Sequence, residues 1–278
     1  MFESFFGLTT APFQLSPDPD FYFDSRGHHH ALSYLKYGVH QREGFVIITG
    51  EIGAGKTTLV RALLSRLDKR QVNAVQISNT QLDEDELLTA ICQAFGIPVP
   101  GGKKAQLLGT LEAYFVSLSL AGRRALLVID EAQNLGPRQA EELRMLSNFQ
   151  LGKQGLLQSF LVGQPELRKL LAKPELEPLC QRVIASCHLA PMNQDETNLY
   201  VGHRLRQAGY KGSPIFDSNA LIEIFSATEG IPRRINLLCN RLLVAAFLSS
   251  RRQIDADMAQ TTAADMLQDL GILRTDRP

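Results

Sequence analysis

The stretch that decides the fold is Gly50-Glu51-Ile52-Gly53-Ala54-Gly55-Lys56-Thr57, which directly follows the apolar run Phe45-Val46-Ile47-Ile48. A buried strand, a glycine-rich turn and a helix predicted over 57–67 are the usual setting of a phosphate-binding loop. The three glycines let the loop curl until successive main-chain N–H groups point at one phosphate. The helix N-terminus behind the loop adds partial positive charge. The stretch therefore predicts binding of a nucleoside triphosphate.

Individual residues of the loop have distinct expected roles. Lys56 can reach the β- and γ-phosphates, and the Thr57 hydroxyl can ligate Mg²⁺. The alternative is a glycine turn that only precedes a core helix, and the strand–loop–helix context favours the nucleotide. The predicted nucleotide-binding set is Gly50, Glu51, Ile52, Gly53, Ala54, Gly55, Lys56, Thr57, Thr58 and, from a second motif, Asp130.

That second motif indicates what happens to the nucleotide. The apolar run 125–129 is typical of a strand buried on both faces of a parallel sheet, and it ends in Asp130-Glu131-Ala132-Gln133. Open α/β sheets bind ligands at the carboxyl ends of their strands. We expect Asp130 to hold Mg²⁺ and Glu131 to polarise the attacking water as general base. The alternative is a strand that ends in solvated acids. Paired with the glycine loop, the motif predicts hydrolysis of ATP to ADP and phosphate.

Composition excludes several other classes of protein. The 278 residues carry zero formal net charge, and residues 191–278 hold ten basic and ten acidic side chains, so no block is basic enough for strong non-specific binding to nucleic acid. No apolar stretch reaches the roughly 18–20 residues that span a bilayer, and the N-terminus lacks a basic signal region. The four scattered cysteines include no Cys-x-x-Cys pair, which disfavours zinc. We expect a cytoplasmic protein.

The pattern of elements predicts two domains. Strands predicted over 45–49, 73–78, 125–129 and 159–163 alternate with helices, which indicates βαβ units and a parallel sheet. From about Pro191 the pattern is helical, with helices predicted over 195–208, 217–228, 232–248 and 257–270. We therefore predict an α/β fold: a P-loop NTPase core of the AAA+ type with a parallel sheet, followed by a small helical lid. The predicted domains are 1–190, which begins with a Phe/Pro-rich wrap over 1–25, and 191–278.

Several longer motifs resemble one family. These are the N-terminal block 2–9 with Pro12-Phe13 and Pro17-Asp18-Pro19, then Asp130–Leu135, Leu143–Asn148, Leu161–Leu167 and Gly230–Asn236. Together they resemble the ExeA/GspA-type AAA+ ATPases, which are tied to general secretion, to MSHA-type pili and to exopolysaccharide loci. The best-known members continue into a transmembrane helix and a peptidoglycan-binding domain. The chain resembles the shorter, MshM-like branch, in which membrane association comes through a partner.

The resemblance implies three further catalytic positions. Gln164, at the end of the fourth core strand, matches a sensor residue that orients the attacking water; the alternative is a strand-terminal polar residue without a role. Arg233 matches the lid sensor of the γ-phosphate, with Arg234 as its rival. Arg182 resembles an arginine finger supplied to a neighbouring subunit, with a surface arginine as the alternative. Relatives often have a second basic residue and a tyrosine after this last motif, whereas the chain reads Ile184-Ala185-Ser186-Cys187.

The leading functional prediction is an oligomeric cytoplasmic ATPase that uses ATP and Mg²⁺. It would drive or regulate assembly of a pilus, secretion or export machine through an inner-membrane component. One alternative is a DNA-associated regulator of the transposition-ATPase type, which the neutral charge disfavours. Another is a nucleotide-gated scaffold with little turnover, which the Asp130-Glu131 pair disfavours.

Overall fold

The computed structural model describes residues 2–16, 18–41, 43–78, 82–99 and 103–269. The helices are α1 Phe2–Phe6, α2 Arg26–Gln41, α3 Lys56–Arg66, α4 Glu84–Ala94, α5 Lys104–Leu120, α6 Pro137–Leu146, α7 Glu166–Leu171, α8 Glu177–Cys180, α9 Gln194–Gln207, α10 Ser218–Thr228, α11 Pro232–Leu248 and α12 Ala256–Asp269. The strands are β1 Phe45–Gly50, β2 Val72–Ile77, β3 Arg124–Ile129, β4 Gln150–Leu151, β5 Gln154–Gly155, β6 Leu157–Gly163, β7 Val183–Leu189, β8 Ile215–Phe216 and β9 Gln253–Ile254. Within the described residues, the short 3-10 helices are Pro19–Phe21, Ala132–Asn134 and Pro174–Leu176.

The chain divides into two compact units, of which the larger is the sheet unit, formed by Arg26–Glu51 and Leu59–Leu189. Its five strands lie in the order β2-β3-β6-β1-β7, and all four neighbouring pairs are parallel. Every residue of β1 and β6 is buried, as expected for strands covered on both faces. The predicted α/β fold with a parallel sheet is confirmed.

The smaller unit, the helical unit, contains Met1–Ser25, Ile52–Thr58 and Ala190–Pro278. Helices α9 to α12 surround a core that includes Leu238 and Leu242 of α11, both fully buried. Phe6 and Phe13 of the N-terminal segment belong to the same core. The predicted division at 190/191 assigned residues 1–25 to the first domain. The structure differs, because the apolar side chains of this segment pack among the lid helices.

The main element absent from the sequence prediction is β7. Its burial alternates, with Ser186 and His188 exposed and Cys187 and Leu189 buried. It pairs with β1 on one side and ends the five-strand order. An edge strand of this kind lacks the continuous apolar run that indicates the central strands. Pro17 of the N-terminal motif and Leu270, the predicted end of the last helix, lie outside the described residues.

The described helices can be compared with the length and composition of a membrane span. Across the part of the chain that the structure describes, no helix combines the length and the apolar character that crossing a bilayer requires.

Candidate nucleotide site

The glycine-rich loop follows β1, whose last residue, Gly50, pairs with Leu189 of β7. Gly53 and Gly55 have φ angles of 84° and 96°, in the left-handed region that glycine adopts without a steric cost. Glu51 and Ile52 are exposed, whereas Ala54 is buried. The chain therefore makes the tight curl that a phosphate-binding loop requires.

Lys56 is the first residue of α3 and so lies where the loop becomes a helix. Only 7% of its surface is exposed. Thr57 and Thr58, in the first helical turn, are half-buried. The first turn of a helix presents main-chain N–H groups and the positive end of the helix dipole, both of which favour a bound anion.

Within the helical unit, the loop contacts the start of α11. The main-chain N–H of Arg233 donates to the carbonyl oxygen of Gly53 at 3.2 Å. A Cβ atom at Gly53 would lie 2.4 Å from Cβ of Arg233, which is too close for any other residue type. The neighbouring Arg234 instead forms an ion pair with Glu229, at 2.5 Å. Of the two candidate sensor arginines, Arg233 is the one whose main chain contacts the loop.

In the sheet unit, Asp130 comes directly after β3 and has 5% of its surface exposed. Its Oδ1 accepts from the main-chain N–H of Glu131 at 3.0 Å, and its Oδ2 accepts from Nε2 of Gln76 at 3.1 Å. Gln76 lies on β2, next to β3 in the sheet. Sequence reasoning missed Gln76, although a polar residue inside a mostly apolar strand was a usable signal.

Glu131 has a left-handed backbone, with φ 53° and ψ 37°. That conformation costs a non-glycine residue about 1–2 kcal/mol and is found disproportionately at functional sites. Its Oε2 accepts from Nε2 of Gln133 at 2.6 Å and from Nε2 of Gln164 at 3.2 Å. The main-chain N–H of Gln164 donates to Oε1 of Gln133 at 3.0 Å. We call Asp130, Glu131, Gln133 and Gln164 the strand-end cluster.

The sheet order explains why the strand-end cluster exists. Because β3 and β6 are parallel neighbours, Asp130-Glu131 after β3 and Gln164 after β6 lie at the same edge of the sheet. The parallel pairing of β6 with β1 brings the start of the glycine-rich loop, Gly50, to that edge as well. Carboxyl ends of parallel strands are the usual ligand-binding edge of α/β proteins. Sequence reasoning identified Glu131 and Gln164 but assigned no role to Gln133.

Arg182 comes immediately before β7, at the amino-terminal ends of the parallel strands and so opposite to the strand-end cluster. Its carbonyl oxygen accepts from the N–H of Phe45, the first residue of β1, at 2.9 Å. Its Nη1 donates to the carbonyl oxygen and the hydroxyl of Ser147, at 3.0 and 3.3 Å. Arg182 is thus at the end of β1 opposite to Gly50. Its role in a neighbouring subunit remains a prediction.

The donor atoms of these residues are of the kinds that bind a nucleotide together with its metal ion. Mg²⁺ prefers oxygen ligands and is usually held by one or two protein oxygens together with phosphates and water. The Thr57 hydroxyl and the Asp130 carboxylate are donors of that kind. Among the described residues, no group of three or more His, Cys, Asp and Glu side chains could form an all-protein metal cage.

Comparisons with known proteins agree with this description. Residues 39–171 match the model of the AAA domain family. The chain is 41% identical over 255 residues to general secretion pathway protein A of Aeromonas hydrophila, covering 91% of the chain and 46% of that relative. The fold is similar to Aeropyrum pernix ORC1 in a complex with DNA, with a TM-score of 0.67, 17% identity and coverage of 96% of this chain and 72% of that one. It is also similar to Cdc6p of Pyrobaculum aerophilum, with a TM-score of 0.65, 19% identity and coverage of 91% and 68%.

The sheet, the loop and the match to the AAA domain family over residues 39–171 define a P-loop fold of the AAA+ type, and that fold implies nucleotide binding. Within the class, the chain is related to the ExeA/GspA-type AAA+ ATPases, which confirms the resemblance found in its motifs. The chain spans less than half the length of the Aeromonas relative.

Proposed function

We propose that the protein is an ATPase that hydrolyses ATP to ADP and phosphate and uses the energy in assembling a cell-envelope machine. The observation that supports hydrolysis best is Glu131 at the ligand-binding edge of the sheet, held by the amide of Gln164 at 3.2 Å and adjacent to the buried Asp130. A general base beside an oriented polar side chain is what activation of a water molecule requires.

Each site residue has a role in this reaction. Lys56 and the loop N–H groups bind the phosphates, while Thr57 and Asp130 hold Mg²⁺, which when bound neutralises the charge that develops on the phosphate oxygens. Glu131 takes a proton from water as the water oxygen attacks the γ-phosphorus, and ADP leaves. Gln164 orients that water, and Arg233 reports the γ-phosphate to the helical unit.

Arg182 completes the site of a neighbouring subunit, so the active form is a homo-oligomer. An arginine finger is worth about 10³–10⁵ in turnover. The specific ATPase rate should therefore rise with protein concentration, and an Arg182→Ala variant should remain slow at all concentrations. A specific rate independent of concentration would contradict the shared site.

In the cell, we infer that the protein serves a pilus, secretion or export system by binding an inner-membrane component, which keeps it peripheral to that membrane. The support is its 41% identity to general secretion pathway protein A. The match over 91% of the chain includes most of both units.

Partner capture tests both parts of the proposal. Glu131→Gln should bind ATP and turn it over slowly, which traps the state expected to hold its client, whereas Lys56→Ala should not bind nucleotide. Glu112→Gln, an exposed change of the same chemistry on α5, is the matched control. Recovery of envelope components with Glu131→Gln alone supports the assignment. Recovery of DNA or a recombinase would overturn the envelope assignment in favour of a DNA-associated regulator. Absence of turnover in the wild-type chain at every concentration would overturn the ATPase.

A further inference from the structure

We infer that Gln133 is a positioning residue, which aims the Glu131 carboxylate and couples it to the end of β6. This inference rests on the proposed ATPase, because Glu131 is the base of that reaction. Neither the AAA-domain match nor the predicted motif roles assign a function to Gln133.

The hydrogen bonds fix the orientation of the Gln133 amide. Its oxygen accepts from the main-chain N–H of Gln164, which can only donate. Its NH₂ group therefore lies on the other side and donates to the Glu131 carboxylate at 2.6 Å. A flipped amide would place an oxygen against a carboxylate and a donor against a donor. Both polar groups of the Gln133 amide are thus hydrogen-bonded, and together they connect Glu131 after β3 to the main chain after β6.

Glu131 has a particular need for such support. Its left-handed backbone sets the direction in which the side chain leaves the main chain, and a half-buried carboxylate on that backbone has several rotamers available. The amides of Gln133 and Gln164 both donate to the same oxygen, Oε2, and these two bonds favour one rotamer of Glu131. A general base must be held within hydrogen-bonding reach of one particular water, so fixing its rotamer affects the rate directly.

The surrounding chain makes room for this contact. A Cβ atom at Gly163, the last residue of β6, would lie 2.7 Å from Oε1 of Gln133 and 3.2 Å from its main-chain nitrogen. A side chain at this position would therefore crowd Oε1 of Gln133 and force that amide or its neighbours to shift. The absence of a side chain at Gly163 is thus compatible with the hydrogen bond from Gln164 to the same oxygen of Gln133.

A matched control exists on the next helix. Gln139 is also half-buried and also uses both ends of its amide: Oε1 accepts from the N–H of Gly136 at 2.9 Å, and Nε2 donates to the carbonyl oxygen of Leu82 at 2.5 Å. It does not hydrogen-bond to Glu131. A loss caused only by removing a two-ended glutamine should therefore appear equally in Gln139→Ala.

The experiment measures ATP turnover and nucleotide affinity for Gln133→Ala, Gln133→Glu and Gln139→Ala. Gln133→Ala should lower kcat about 10- to 100-fold and change ADP affinity less than about threefold, since a hydrogen bond to a charged group is lost. Gln133→Glu keeps an acceptor for Gln164 but sets a second carboxylate against Glu131, so its kcat should fall further. In a Glu131→Ala background, Gln133→Ala should cause no additional loss, because the glutamine acts through the glutamate.

Two results would overturn the inference. One is an equal kcat for Gln133→Ala and Gln139→Ala. The other is that Gln133→Ala lowers kcat as much in the Glu131→Ala background as it does in the wild-type chain. Failure of the proposed function would look different, since the wild-type chain would then show no turnover. In that case, the side-chain amide resonances of ¹⁵N-labelled glutamines decide the geometry. Glu131→Ala should shift the Gln133 NH₂ signals and leave those of Gln139 in place, and unchanged Gln133 signals would contradict the contact.

Discussion

Each unit of the chain contains a cluster of hydrogen-bonded polar side chains, and the two clusters differ in what they hold in place. The strand-end cluster lies in the sheet unit, and the second cluster lies in the helical unit. Its members are Tyr200, Arg204 and Asn236, all buried, which we call the clamp cluster. Arg204 donates from Nε to the carbonyl oxygen of Pro12 at 2.5 Å and from Nη2 to that of Gln14 at 3.1 Å. The clamp cluster therefore holds the N-terminal segment on the lid helices.

The difference lies in where the hydrogen bonds go. In the clamp cluster, most donors end on main-chain carbonyls, as the Asn236 amide does on Gln14 at 3.2 Å, while the Tyr200 hydroxyl donates to the side-chain oxygen of Asn236 at 2.9 Å. In the strand-end cluster, the amides end on the charged side chain of Glu131, which is only half-buried. Buried polar groups with main-chain partners stabilise a fold, whereas an accessible held carboxylate is available for chemistry. Substitutions in the strand-end cluster should therefore change ATP turnover, and substitutions in the clamp cluster should change the free energy of unfolding.

The largest effect is expected at Asp130. Asp130→Asn removes the charge and keeps one acceptor oxygen, for the N–H of Glu131, while its NH₂ group can donate to the oxygen of Gln76 once that amide flips. Mg²⁺-dependent ATP turnover should fall by about 100-fold or more, since metal stabilisation is worth several kcal/mol. The Mg²⁺ dependence of nucleotide affinity should weaken in parallel. The free energy of unfolding should stay within about 1 kcal/mol of the wild-type value.

The control for this change is Asp85→Asn, which neutralises an exposed acid in the first turn of α4. Turnover of Asp85→Asn should match wild type. If Asp130→Asn destabilised the chain strongly while turnover per folded molecule stayed normal, the two clusters would not differ in the manner described.

The next effect is on stability, at Arg204. Its guanidinium also lies over the ring of Phe21, at 4.5 Å from the centroid. Arg204→Met keeps an unbranched apolar stem but removes the guanidinium, which leaves the carbonyls of Pro12 and Gln14 without this donor, so unfolding free energy should fall by about 1–3 kcal/mol. Denaturant unfolding measures the change, and Arg206→Met, at an exposed position on the same helix, is the control. Equal effects of the two substitutions would remove the structural role assigned to the clamp cluster.

These two clusters also show what the sequence could predict. Lys56, Asp130 and Glu131 belong to short motifs attached to strong apolar runs, so local pattern located them. The pairing of Arg204 with Pro12 joins positions 192 residues apart, and no periodicity in the sequence encodes it. Local pattern therefore could not predict that the N-terminal segment packs on the lid helices.

The strand-end cluster was predictable only in part for the same reason. Gln133 is two residues from Glu131, but its bond to the main chain of Gln164 depends on β3 and β6 being neighbours. That order is a tertiary fact. β7, whose alternating edge pattern resembles a loop in the sequence, was missed because burial on one face leaves a weaker signal than burial on two.

A smaller stability effect is expected from Tyr200→Phe. The ring keeps its edge-to-face contact with Phe23, at 5.6 Å between centroids, while the hydroxyl donor to Asn236 is lost. A loss of about 0.5–1.5 kcal/mol in unfolding free energy is expected, because one buried hydrogen bond is removed and the packing retained. Tyr210→Phe, at an exposed tyrosine outside the helices, provides the comparison. No difference between the two variants would mean that the hydroxyl adds nothing to the clamp cluster.

The smallest effect concerns pH and His203, which lies beside Phe23, with 5.5 Å between ring centroids. Burial, followed by the positive charges of Arg206 and Arg204, lowers the pKa of His203 below its usual value of about 6.5. The unfolded chain therefore binds the proton more readily, so unfolding free energy is at its full value above pH 6.5 and falls as pH drops below it. For each pH unit by which the pKa of His203 is lowered, the unfolding free energy changes by at most about 1.4 kcal/mol. Urea unfolding at pH 8 and pH 5.5 should show a smaller pH-dependent loss for His203→Gln than for wild type, whereas His40→Gln, at an exposed position on α2, should behave as wild type. An identical loss in all three chains would show that the packing of His203 against the N-terminal segment tolerates the charge, and that the clamp cluster does not extend to this histidine.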